Sequence, residues 1–452
     1  MSFPRYPEYK DSGVGWLGLV PSHWPVMRLR QAARLNPSKS ETAALPRSTL
    51  VTFLPMEAIG EDGSLALDRV RAIGELESGY TYFSEGDVAI AKITPCFENG
   101  KGAVMRGLHG GLGFGTTELI VARPLPQHLD GTYLHRIFTS RPFMQQGEAS
   151  MYGAGGQKRV PDDFVRDFAI ALPPVEEQVV INHFLDRETA KIDALVAEQE
   201  QLITLLKEKR QAVISHAVTK GLDPSVPMKD SGVEWLGVVP AHWDVHGIKH
   251  IVSTPITDGP HESPAFPDEG IPFVSAEAVS TGVIDFDRIR GFISEEDHAR
   301  YSLKYKPKRG DIFMVKSGAT TGVTAMVDTD MDFNIWSPLA VIRAAAFMSP
   351  HYVLQFMRSL NFQEAVTLNW SFGTQQNIGM GVIENLSIAV PPLAEQEAIS
   401  GHLRQLLDQF QPLISEATQA IQLLQERRSA LISAAVTGQI DVRGLALAKE
   451  AA

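Results

Sequence analysis

KDSGVGWLGLVPSHWPVMRLR, residues 10–30, returns as KDSGVEWLGVVPAHWDVHGIK at 229–249, with 13 of 21 positions identical at an offset of 219. LPPVEEQ at 172–178 returns as VPPLAEQ at 390–396, offset 218. EKRQAVISHAVT at 208–219 returns as ERRSALISAAVT at 426–437, also offset 218, with eight of 12 identical. Neither chance nor composition holds three separated blocks to one offset within a single residue. The chain is a tandem duplication of a unit of about 218 residues.

Each unit has a front and a back. The fronts mix short β-like runs with turns, and the backs look helical. A Pro-Pro pair at 173–174 and at 391–392 marks each switch, since such a pair ends one element and can open a helix. LDPSVP at 222–227 reads as a short linker. The backs carry a 4-3 apolar spacing. It runs Ile181, Leu185, Glu188, Ile192, Leu195, Gln199, Leu202, Leu206, Lys209, Val213 in the first copy. In the second it runs Ile399, Leu403, Leu406, Phe410, Leu413, Ala417, Ala420, Leu424, Arg427, Leu431. One such helix cannot bury its seam alone, so the two copies are expected to pack antiparallel. Pro412 is expected to interrupt the second helix. The expected fold is α+β, with two pseudo-twofold-related α/β domains separated by two long antiparallel coiled-coil-like helices. The boundaries read 1–172 and 222–390 for the domains, 173–221 and 391–440 for the helical spacers, and 441–452 for a tail.

Composition narrows the function. Of 452 residues 44% are hydrophobic and 21% charged, as in folded chains, and one cysteine, Cys96, excludes an internal disulfide framework. No apolar run approaches membrane-span length, and the polar, proline-rich start is unlike a signal peptide, so a cytoplasmic location is expected. There is no phosphate-cradling GxxxxGK[ST], no HExxH and no Asn- or Asp-Pro-Pro-aromatic string for an amine to be methylated. FENGKG at 97–102 and GLGFG at 111–115 read as hairpin or turn glycines. His23 and His242 recur in one structural corner, and Trp16 with Trp24, like Trp235 with Trp243, reads as packing. No catalytic or metal-ligating residue is assigned.

The net charge of −12 argues against a nucleic-acid binder, but it is unevenly spread. Residues 1–172 carry 18 basic and 18 acidic side chains, whereas 228–390 carry 12 and 19. KYKPKRG at 304–310 is a local basic cluster of the kind that can meet phosphates. Base edges are read by amides, Arg or Lys, and small hydroxyls. The loop at 155–159 offers Gln157, Lys158 and Arg159, and its partner at 373–377 offers Thr374, Gln375, Gln376 and Asn377. The ends of the strands EGDVAIAKI (85–93) and RGDIFMVKS (309–317) add Lys92, Thr94 and Lys101 in one copy, and Lys316, Ser317, Thr320 and Thr321 in the other. The competing reading is that these groups only satisfy turn backbone. One frame with two different loop sets suits a reader of two different half-sites.

KDSGVxWLGxVPxHW, the GD…K strand, GTQQNI, PPLxEQ and the E[KR]R…IS…AVT helix end resemble the specificity subunit of type I DNA restriction–modification enzymes, over nearly the whole chain. The resemblance implies a DNA-binding, non-catalytic subunit of the restriction system. Two target recognition domains would read the halves of a split, asymmetric sequence on double-stranded DNA. Two conserved helical regions would set the spacing and dock two modification (methyltransferase) subunits. Restriction subunits, ATP-dependent nucleases, would complete the assembly. S-adenosylmethionine, ATP and Mg would then reside on the partner subunits and no cofactor on this chain. Leu205, Ile214, Leu423 and Ile432 lie off the strict seam and are the expected docking positions. Two alternatives stay open: a free-standing DNA methyltransferase with duplicated recognition domains, and a coiled-coil scaffold that does not bind DNA.

Overall fold

A computed structural model describes residues 3–153, 156–372 and 376–446. The chain divides into two compact units, residues up to 199 together with those from 419 onward, and residues 200–418. The cuts fall inside two long helices, Val175–Lys220 and Leu393–Val436. Each unit therefore holds one front domain, the first half of the helix that follows it, and the last half of the other helix.

The repeated opening motif is a turn built twice. Tyr9–Asp11 pairs antiparallel with Leu19–Pro21, and Met228–Asp230 with Val238–Pro240. In each the aspartate accepts a hydrogen bond from the glycine amide two residues on, at 2.9 Å in both copies. Those glycines, Gly13 and Gly232, sit at φ 69° and 72°, which side-chain-bearing residues seldom adopt. The fully buried Trp24 and Trp243 follow, and half-buried Trp16 stacks on Phe168 with centroids 4.8 Å apart.

Behind the turns lies a four-stranded antiparallel sheet. In the first unit its order is Ala33–Leu35, Leu119–Pro124, Val88–Ala91, Gly102–Val104, with Ile120 opposite Ile90 and Ala89 opposite Ala103. The second unit repeats it as Thr257–Asp258, Leu339–Ile342, Ile312–Val315, Thr324–Met326. A second sheet keeps one parallel pair in both units, Leu50–Leu54 with Leu112–Gly115 and Ile271–Val274 with Asn334–Ile335. The repeated Gly-Asp opens the central strand for a structural reason. Asp87 and Asp311 are buried carboxylates held bidentately by Arg123 (2.6 and 2.8 Å) and Arg343 (2.6 and 2.7 Å). Each arginine ends the neighbouring strand, so the pair locks two strands at one edge.

The PPxxEQ blocks are joints. Gln178 accepts from the Asp130 amide and donates to the carbonyls of His128 and Pro173, all at 2.7–2.8 Å. Gln396 accepts from the Ser349 amide at 2.8 Å and donates to the carbonyls of Phe347 and Pro391 at 3.2 and 2.8 Å. The preceding glutamates meet the histidine of the corner, with His23 to Glu177 and His242 to Glu395 both 2.8 Å. These contacts fix where each long helix leaves its domain.

Antiparallel helix packing is present inside each unit. In the first, Ile181, Leu185 and Ile192 from the start of one helix share a core with Leu431, Ile432 and Ala435 from the end of the other. In the second, Ile214, Ala217 and Val218 meet Ile399 and Leu403. The seam itself departs from the expected register. Leu195, Leu202 and Leu413 are exposed, whereas Val196, Ile203 and Ile414, one residue later, are partly covered. Alternate seam positions such as Ile192, Phe410 and Ala417 stand as expected. The shift keeps the 4-3 spacing and brings different residues inward. The expected interruption at Pro412 is also absent, because Leu393–Val436 is one helix. Pro412 and Asp408 are both exposed, so water can satisfy the carbonyl that proline leaves unpaired. Residues 441–446 pack back on the first unit: Val442 is fully buried, and the Asp441 amide bonds to the Pro4 carbonyl at 2.8 Å.

Candidate nucleic-acid interface

In both units the strand-end loop and the glycine- and amide-rich loop meet. Ile93 bridges Arg159, the Thr94 amide and hydroxyl donate to the Lys158 carbonyl at 3.0 and 3.1 Å, and the Val160 amide reaches the Lys92 carbonyl at 2.8 Å. In the second unit Ser317 bridges Asn377, the Gly318 amide donates to the Gln376 carbonyl at 3.0 Å, and the Ile378 amide to the Lys316 carbonyl at 2.8 Å. Backbone ladders thus tie two loops distant in sequence into one surface, in the same place on both frames.

The side chains on that surface divide by what they already touch. Gln157 and Lys158 are exposed, as are Gln376 and Asn377 on a short strand paired with Ser371–Phe372. Lys92, Thr94, Ser317 and Thr320 are half-buried. Thr321 is buried and its hydroxyl donates to the Gly318 carbonyl at 2.7 Å, so it serves the turn. Lys101 donates to the Met56 carbonyl at 3.4 Å. Thr374 and Gln375 lie outside the described residues.

Two of the expected cations are occupied by acids. Arg159 grips Glu118 through two bonds of 2.8 and 2.9 Å, and those bonds hold the Glu118 carboxyl below the usual range. Lys316, 13% exposed, lies 3.0 Å from Asp258, itself 10% exposed. Asp258 also receives Lys304 at 2.6 Å and stands 3.1 Å from His261. Burial pushes the Asp258 carboxyl up, but hydrogen bonds from Lys304 and Lys316 outweigh it and leave it below its ordinary value. The basic run at 304–310 is largely matched in the same way: Lys306 pairs with Asp332 at 2.7 Å and Arg309 with Asp330 at 2.9 Å. Lys316 is therefore a braced lysine, and the exposed Lys158 is the freer cation. Glu118 and Asp258 were not legible as site residues, since no repeated motif marks either.

The docking positions separate too. Leu205 and Leu423 are 52% and 57% exposed, whereas Ile214 and Ile432 are 4% and 2% exposed. The latter two belong to the unit cores, because each helix turns that face toward the domain it ends against. They are corrected from docking residues to core residues. Among the described residues no cluster of His, Cys, Asp and Glu could hold a metal ion, and no helix is long and apolar enough to cross a membrane.

Comparison with known proteins agrees with the doubled frame. Residues 261–422 match the family model of the type I restriction modification DNA specificity domain. The chain is 37% identical over 195 residues to the type I restriction enzyme EcoEI specificity subunit of Escherichia coli, covering 43% of this chain and 32% of that protein. The EcoAI specificity subunit of Escherichia coli is 38% identical over 196 residues, with the same coverage. The matched stretch spans about a third of the length of these two relatives. The EcoBI specificity subunit of Escherichia coli is 23% identical over 296 residues, 63% of this chain and 60% of that one. Two solved structures share the fold. One is a chain from work on complex assembly and conformational transition of the type I R-M system, with a TM-score of 0.68 at 20% identity, covering 92% of this chain and 98% of that one. The other is the HsdS subunit from Thermoanaerobacter tengcongensis, with a TM-score of 0.53 at 18% identity, covering 93% and 98%. The doubled frame, its paired loops and these matches together make the chain similar to type I restriction–modification specificity subunits.

Proposed function

We propose that this chain is the sequence-reading, non-catalytic member of a type I restriction–modification assembly. Each front domain reads one half of a bipartite, asymmetric sequence on double-stranded DNA. Modification subunits methylate and restriction subunits cleave at the direction of that reading, and two modification subunits dock on the helices. S-adenosylmethionine, ATP and Mg belong to those partners. One observation carries the proposal. The same loop junction recurs on the same sheet in both units, yet it exposes Gln157 and Lys158 in one and Gln376 and Asn377 in the other. Amides in such positions can pair bidentately with adenine and lysine can pair with guanine, whereas equal readers on a twofold frame would select a palindrome.

The test is DNA affinity of the assembled complex against a panel varied one half-site at a time, after methylome sequencing has supplied the target. Gln376→Ala and Asn377→Ala each weaken discrimination in one half by about 1–3 kcal/mol, roughly ten- to a hundredfold. Gln157→Ala acts on the other half only. Both sets acting on the same half, or on neither, would overturn the proposal.

A further inference from the structure

Each unit has a cleft between its front domain and the last half of one long helix, and the two clefts are electrically unlike. In the first unit the cleft, about 430 Å³, is lined by Arg136, Arg141 and Arg428 against four carboxylates, those of Glu61, Asp62, Glu98 and Glu148. Two of its three arginines are also closed off by the first long helix: Arg428 pairs with Asp193 at 2.8 Å and Arg136 with Asp186 at 2.5 Å.

The 218–219 offset carries these positions into the second unit and changes the charges. Arg428 corresponds to Arg210, but its partner Asp193 corresponds to Gln411. Asp186 becomes Arg404, Arg136 becomes Gln355, and Thr139 becomes Arg358. The second cleft, about 620 Å³, is lined by Arg210, Arg358, Gln411 and Gln355 with a single carboxylate, Asp408. Neither Arg210 nor Arg358 is in an ion pair among the described residues. Arg358 instead donates to the carbonyls of Gly282 and Thr324 at 2.5 and 3.0 Å. Burial and the neighbouring Arg210 both push its pKa down, as happens to a cation short of counter-charge.

Charge and place give the class of occupant. Arg210 and Arg358 lack a carboxylate partner among the described residues, and the carboxylates of a peptide would accept from both. A DNA phosphodiester would suit the guanidiniums too, but none of Lys316, Ser317, Gln376 and Asn377 at the loop junction lines this cleft, whereas both long helices do. We infer that the cleft of the second unit, at Arg210, Arg358 and Gln355, docks an acidic peptide segment of a partner protein. On the function proposed above, that partner is a modification subunit.

The test uses the full chain and a fluorescein-labelled octapeptide of alternating Glu and Ala, followed by anisotropy at low ionic strength, with a Gln-for-Glu peptide as control. Gln411→Asp rebuilds in the second unit the Arg–Asp pair of the first, on an exposed helix position. It is expected to weaken the Glu peptide about fivefold, what one exposed charge pair is worth, and Arg210→Ala to do the same, with thermal unfolding unchanged. The Gln peptide should not bind. No binding of the Glu peptide, or binding indifferent to both variants, overturns the inference. So does a loss confined to a DNA duplex with the peptide unaffected, which would assign the cleft to nucleic acid. Assembly with the modification subunit is measured in parallel. If the peptide responds to Gln411→Asp but assembly does not, the cleft stands and its assignment to that subunit fails.

Discussion

Lysine 316 and lysine 158 should respond in opposite ways to one substitution. Both sit at the loop junction, but Lys158 is exposed and Lys316 is 13% exposed against Asp258 at 3.0 Å. A lysine that neutralises one phosphate adds about 0.9 to the slope of log affinity against log salt. Between 50 and 200 mM salt that is a factor of about 3.5 per contact. Lys158→Ala should therefore flatten the slope of the assembled complex by about 0.9 and weaken binding to every sequence alike. Lys316→Ala should leave the slope nearly unchanged, because its ammonium is already neutralised within the protein. Its cost falls on stability. A largely buried charged hydrogen bond is lost, but Asp258 keeps Lys304 at 2.6 Å, so about 1–2 kcal/mol is expected. For a unit of this size that is a fall in Tm of roughly 2–8 °C. The assays are anisotropy titrations across a salt series and thermal unfolding of the same samples. If Lys316→Ala flattens the slope by about one while leaving Tm alone, the ion pair yields to DNA and the reasoning is wrong.

On the proposed function, charge placed at the exposed leucines, Leu205→Asp and Leu423→Asp, should weaken assembly with modification subunits at unchanged Tm. Ile214→Ala and Ile432→Ala should instead cost about 2–5 kcal/mol each by denaturant unfolding, since both side chains are core. Asp87→Asn and Asp311→Asn leave Arg123 and Arg343 without their buried carboxylates and should each destabilise by about 3–5 kcal/mol. Burial lowers the pKa of His135 to about 4. The unfolded chain then binds the extra proton first, so first-unit stability is full above about pH 6.5 and falls as the pH drops toward 4. Urea unfolding at pH 7 and pH 5 should show that loss in the wild type and a smaller one in His135→Gln. An equal loss in both would assign the pH dependence elsewhere.

The duplication, the two domains and the two long helices were legible because each rests on a repeated cause. Gly13 and Gly232 make one turn with an aspartate two residues away, and Gln178 and Gln396 make one joint with partners in the same copied unit, His128 and Asp130 or Phe347 and Ser349, so each motif was copied together with what it touches. The helix seam was legible in spacing but not in phase. A 4-3 pattern read from Leu195 and Leu202 differs by one residue from the pattern through Val196 and Ile203, and only the domain packed on the helix end decides which faces inward. Pro412 was misread for a related reason, since a helix breaker costs less where its orphaned carbonyl faces water. The candidate site shows the same division. Residue types at the two loops named Lys92, Gln157, Gln376 and Asn377 without a structure. Which cations are free was decided by partners far away in the chain, Glu118 for Arg159 and Asp258 for Lys316, and ion pairs between distant segments leave no periodic trace in sequence. The inequality of the two clefts likewise needed tertiary placement. The exchange of Asp193 for Gln411 is visible at the repeat offset, but only the fold puts Gln411 and Arg210 on one cleft wall.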